Sequence, residues 1–207
     1  FMNNFDLYFS NYLRRNCSNA EIVSDILGGD ARIKNADYFF SNRRFIMELK
    51  CLDNEKYIEV HRILQELLNK KEISVFQKGM TIEEILRNHS RREEIKNEIL
   101  DKISAPLEGA IKKANRQIRE TKLYFDLDQS KGVVILVNRD NTILEPQIVE
   151  KIISNLMQRK QEGGFRYEQI DYVIYISQIH YFEDGERKPM PFCIFTKNEL
   201  LNDAEQR

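Results

Sequence analysis

The chain is poor in the residues that punctuate or cross-link a fold. Its 207 residues include 8 glycines and 4 prolines, together about half their usual share. That scarcity excludes collagen-like, linker-like and low-complexity architectures and favours long helices. Three cysteines, Cys17, Cys51 and Cys193, are too few and too scattered for a disulfide framework or a zinc cluster. Reduced, buried thiols in a cytoplasmic protein are expected instead. Charge of one sign is missing as well: 32 Lys and Arg against 33 Asp and Glu leave −1, so only a local basic patch can hold nucleic acid. The longest aliphatic run, Val133 to Val137, falls far short of a membrane span, and no membrane partner is expected. Phe1 ahead of Met2 is set aside as extraneous, and without a basic stretch followed by an apolar one no secretion signal is expected. Phosphate-binding G-x-x-x-x-G-K-[ST] and G-x-G-x-x-G loops, H-E-x-x-H and G-x-S-x-G are all absent. His61, His89 and His180 stand far apart, which offers no site for an HNH-type nuclease.

What is present suffices for a core: 42% of residues are hydrophobic, and the length suits a single domain over 1–207. Phe5, Tyr8, Phe9, Tyr12 and Leu13 recur at helical spacing. Ser18-x-x-Glu21 has the capping-box form and predicts a second helix, carrying Ile22, Ile26 and Leu27 and ended by Gly28-Gly29. Residues 53–104 read as a helical insertion, with Asp53, Thr81-x-x-Glu84 and Ser90-x-x-Glu93 as helix starts. A separate helix is predicted from Pro106, suited to a first turn, to about Lys122. Strands are expected over 132–138, 171–177 and 191–196, with a helix over 146–160. The fold class is therefore α/β (mixed α+β), with parallel pairing where strand, helix and strand follow one another.

One segment differs from the rest. Aromatic Ala36 to Phe40, turn-like Ser41 to Arg44 and apolar Phe45 to Leu52 read as a β-hairpin. Centring the turn between Asn42 and Arg43 makes paired residue numbers sum to 85, which sets Asp37 across from Glu48. Glu48 and Lys50, two apart on a strand, share a face. Two carboxylates and an ammonium thus converge on an apolar sheet, a costly arrangement unless they pair or hold a metal. The sequence has four E-x-K tripeptides, but only Glu48-Leu49-Lys50 lies in such a strand.

Asp37, ten intervening residues and Glu48-Leu49-Lys50 resemble the D…(D/E)-x-K signature of the PD-(D/E)XK nuclease superfamily. The preceding helix and the hairpin resemble its opening half, and 106–138 its second half, so the likeness spans Ser18 to Asn138 around the insertion. Ala36 stands where that superfamily often has proline. The resemblance implies a restriction-endonuclease-like mixed sheet flanked by helices. It implies a nuclease that uses Mg²⁺ or Mn²⁺ to hydrolyse phosphodiester bonds, with DNA favoured over RNA, and admits a homodimer. Asp37, Glu48 and the Leu49 carbonyl would hold the metal, with Glu21 or Asp25 as a further acidic residue. Lys50 would assist the attacking water and Gln117 would be the helix glutamine of the site. Arg43 and Arg44 at the hairpin tip, with Lys113, Arg116 and Arg119, are the expected phosphate contacts. The alternative is a non-catalytic nucleic-acid- or protein-binding module that keeps the fold, its Lys50 simply pairing Glu48.

Overall fold

The computed structural model describes residues 4–28, 35–52, 58–74, 80–180 and 192–196. In chain order the elements are α1 (Asn4–Asn16), β1 (Ala20–Ile22), α2 (Val23–Ile26), β2 (Tyr38–Phe40), β3 (Phe45–Cys51) and α3 (Ile58–Asn69). They continue with α4 (Ile82–Ile85), α5 (Arg92–Phe125), β4 (Lys131–Asn138), α6 (Pro146–Gln158), β5 (Lys160–Gln161), β6 (Gly164–Phe165), β7 (Tyr172–Ser177) and β8 (Phe192–Thr196). Six strands form one mixed sheet in the order β1-β2-β3-β4-β7-β8, and β5 with β6 forms a separate two-stranded ribbon. The central pairs β3–β4 and β4–β7 are parallel, and the outer pairs are antiparallel. This is a mixed α/β fold.

Helices cover both faces of the sheet. On one face α5, α3 and α6 pack over Phe39, Ile46, Val134, Leu136, Val173 and Tyr175, making the larger core. On the other, Phe5, Phe9 and Leu13 of α1 meet Tyr38, Leu49, Ile135 and Val137. Tyr8 and Tyr12, which share the helical spacing, are 68% and 50% exposed and lie outside that contact. No helix among the described residues is long and apolar enough to cross a membrane.

Three sequence expectations are corrected. Ser18 does not open a helix: Ala20–Ile22 is an edge strand paired with Phe40, Phe39 and Tyr38 of β2. Only Val23–Ile26 is helical, and Gly28 follows it with a positive φ of 57°. Pro106 does not start a helix either, since α5 runs unbroken for 34 residues with Pro106 inside it. Its buried stripe of Ile95, Ile99, Ile103, Leu107, Ile111, Ala114 and Ile118 crosses the proline without interruption. Burial of that stripe outweighs the one backbone hydrogen bond that a proline forfeits. Ser90 caps nothing, because the N-cap is Arg91 without a side-chain bond. The Thr81 capping box is present: Thr81 Oγ1 accepts from Glu84 N, and Thr81 N donates to Glu84 Oε2. Asp53 lies outside the described residues.

Candidate active site

The hairpin register is the expected one, with Tyr38↔Met47, Phe39↔Ile46 and Phe40↔Phe45. It changes at Asp37. The Asp37 N–H donates to the Met47 carbonyl at 3.1 Å, while its carboxylate accepts the Leu49 N–H at 2.8 Å. The side chain thus takes the place of a ladder carbonyl and is fixed toward β3. Alternation along β3 points the Leu49 carbonyl to the same edge as the Met47 carbonyl, beside Asp37.

Glu48 is 0% exposed. Its Oε1 accepts from Lys50 Nζ; its buried Oε2 has no donor while both carboxylates are ionised, and Asp37 and Glu48 are close enough to share a hydrogen bond once one is protonated. Burial first, and then the Asp37 charge, raise the Glu48 pKa to about 8, against the pull of Lys50 and Lys113. Burial likewise raises Asp37 above the ordinary aspartate value, opposed chiefly by the Leu49 amide. Two carboxyl groups side by side in an apolar wall cannot both ionise without a cation or a shared proton.

α5 supplies the third side of the site. Gln117 Oε1 accepts from Lys50 Nζ at 3.1 Å, and its Nε2 donates to the Asn35 carbonyl at 2.8 Å, which fixes the amide orientation. One turn on, buried Thr121 accepts the Ala36 N–H at 2.7 Å and donates to the Gln117 carbonyl at 2.8 Å. Thr121 therefore ties the approach to Asp37 onto the helix that carries Gln117.

Asp37, Glu48, Leu49, Lys50 and Gln117 are brought together as the sequence suggested; other expected residues are not. Glu21 turns its carboxylate to Arg43, with Nη2 to Oε2 at 2.7 Å, and Asp25 pairs with Arg14 at 2.8 Å. Both belonged to the helix that the structure replaces with β1 and a single turn. Arg43, with a left-handed φ of 62°, also lies 5.1 Å from the Phe39 ring centroid and 5.5 Å from that of Phe125. It fastens the hairpin tip instead of projecting to solvent. Arg44 is exposed but stands about 13 Å along β3 from Glu48, at roughly 3.3 Å per residue. Lys113 is close enough to act on Glu48, whereas Arg116 and Arg119 line a groove elsewhere on α5.

Two contributors were missed. Asp6 of α1 adds a repulsive charge to Asp37 and lies 3.9 Å from Cys51 Sγ, so the acidic neighbour comes from α1 and not from Glu21. Its signal was its place beside Phe5, which packs on the sheet. Thr121 had no signal, because its role depends on a contact 85 residues away. Among the described residues no three His, Cys, Asp or Glu side chains form a metal-holding cluster. What they offer is a pair of carboxylates with one orphaned oxygen, which fits Mg²⁺, an ion that takes one or two carboxylates and keeps its waters. Comparison with protein-family models, curated proteins and solved structures gave no match.

Proposed function

We propose that the chain is a metal-dependent nuclease of the PD-(D/E)XK type, acting on nucleic-acid phosphodiesters, DNA before RNA. The observation that carries this reading is Glu48: fully buried against Asp37, within hydrogen-bond reach of it, with no donor to its Oε2 when both groups are ionised and a pKa raised to about 8. Such a pair is poorly stable alone and becomes favourable around a divalent cation. Asp37, Glu48 and the Leu49 carbonyl would hold Mg²⁺ or Mn²⁺. A bound cation supplies Lewis acidity at the phosphoryl oxygen and makes water a nucleophile near neutral pH. Lys50 positions the attacking water and stabilises charge developing on the phosphate. Gln117 aims Lys50, held in turn by the Asn35 carbonyl.

The non-catalytic alternative has one observation in its favour, the existing Lys50–Glu48 ion pair. The deciding experiment is cleavage of duplex, supercoiled and single-stranded DNA and structured RNA, with and without Mn²⁺. Wild type should cut only with metal, and Asp37→Ala and Lys50→Ala should each lower the rate at least about 100-fold. No cutting of any substrate, or cutting that survives both changes, retires the nuclease and leaves the binding module.

A further inference from the structure

α5 has two working flanks. At about 100° per residue, Gln117 and Arg119 lie roughly 200° apart around the helix axis, so the flank away from the carboxylates carries Lys112, Arg116 and Arg119. The β5–β6 ribbon stands opposite that flank. Between them is a groove of about 670 Å³ lined by Lys112, Lys113, Arg116, Arg119 and Arg166, with Glu168 as its one acidic lining residue.

The second wall is held by polar contacts. Glu108 of α5 accepts from Arg159 Nη1 at 2.8 Å and from the buried Tyr167 hydroxyl at 2.8 Å, and pairs with Arg166 Nη1 at 3.1 Å. Asn115 Oδ1 accepts the Gln169 N–H at 3.1 Å. This latch sets the Arg166 wall against the cations of α5. Lys112, Lys113 and Arg119 form no ion pair with any described residue, and Arg116 has only a distant one to Glu120 at 3.8 Å. Like charges gathered in a concavity, in a chain of net charge −1, repel one another and create a strong local positive potential. A polyanion relieves it.

We propose that this groove binds the phosphodiester backbone of a nucleic-acid strand at a place separate from the carboxylate centre, so that the strand lies across α5 at Lys113. The ligand class rests on the nuclease reading above; the placement does not. Lys113 supports it by position: it lines the groove and stands one helical turn before Gln117 on the same side of α5, which joins the two regions over the crest of the helix. Gly109 lines the same crest and has open space where a side chain would stand. The surface of the helix is open at that point of the crest.

The test is fluorescence anisotropy with a labelled DNA oligonucleotide, single- and double-stranded, in EDTA so that nothing is cut. The variant Lys112→Gln/Arg116→Gln/Arg119→Gln removes three charges from helix positions that make no core contact. It should raise Kd at least about 10-fold and lower the slope of log K against log salt by about 2–3 over roughly 50–200 mM salt. Arg166→Gln should raise Kd about 3-fold or more on its own, if the ribbon is a wall of the site. Arg15→Gln/Arg62→Gln/Arg91→Gln, removing as much charge elsewhere, should change Kd less than about 2-fold. Equal losses in the two triple variants would show mere net-charge attraction and overturn the groove. A nucleoside monophosphate that binds there as tightly as the oligonucleotide would assign it to a small phosphate ester and likewise overturn the proposal. Cleavage and binding fail separately: groove-dependent binding without metal-dependent cutting removes the nuclease alone, and cutting with unchanged binding in the triple variant removes the groove alone.

Discussion

Glu48 shows how a single side chain sets conditions for its whole surroundings. Its pKa is raised to about 8 by burial and by Asp37, so the folded state prefers the protonated acid while the unfolded chain ionises at the ordinary glutamate value. The Glu48 contribution to metal-free stability is therefore fully present below about pH 4.5 and declines as pH rises through 8. Glu48→Gln should flatten that decline, giving a higher Tm than wild type at pH 8 and little difference at pH 5 by differential scanning fluorimetry. The same substitution should abolish any rise in Tm on adding Mg²⁺, because a ligand of the native state acts by mass action only while its site exists. Thr121 acts through geometry instead. Thr121→Val leaves the Ala36 N–H without its acceptor, which should cost about 1–3 kcal/mol in urea unfolding and lower cleavage, with Thr121→Ser restoring both. The part of the site legible from local pattern was the part on one hairpin, Asp37, Glu48 and Lys50, which follow from alternation and a turn, while Gln117 of α5 came from the family resemblance. Asp6 and Thr121 reach the site from α1 and α5: Asp6 is marked only by its place beside Phe5, and no local pattern marks Thr121, whose contact is 85 residues away.

Elements were legible where burial imposes a period. β4, α6, β7 and β8 were expected within a residue or two, because each shows a continuous apolar run or a helical stripe. β1 failed this test. Three residues at a sheet edge carry no period, and Ser18-x-x-Glu21 has the form of a helix start although Glu21 is committed to Arg43. In α5 the local rule misled and the longer pattern was sound, since apolar residues recur every three or four positions from Ile95 through Ile118. β4 depends on another close fit: a Cβ at Gly132 would lie 1.9 Å from the Gln169 carbonyl oxygen. Gly132→Ala should force that loop outward and cost about 1–3 kcal/mol, readable in urea unfolding. Because the same loop leads from the ribbon to β7, DNA binding should weaken along with stability.

For the whole molecule, Glu145 links the insertion to the sheet domain. Standing before α6 and 8% exposed, it accepts the Ile82 N–H at 3.1 Å, and burial raises its pKa to about 7. By the same sign rule its contribution is complete below about pH 4.5 and lost as pH rises through 7. Glu145→Gln, which keeps the acceptor, should reduce the fall in Tm between pH 5 and pH 8 by about 2–4 °C, the displacement that roughly 1 kcal/mol produces at this size. The central pairing has a consequence of another kind. Phe45 lies beside Lys131 and Cys51 beside Val137 in the β3–β4 ladder, so most of the chain between them is made before the strand bearing Glu48 gains its inner neighbour. Pairing across such a separation is slow, since loop closure precedes the contacts that reward it. During synthesis β3 waits with one edge open until α5 and β4 have left the ribosome. Truncation before Lys131 should therefore yield an aggregating fragment and not a smaller folded unit.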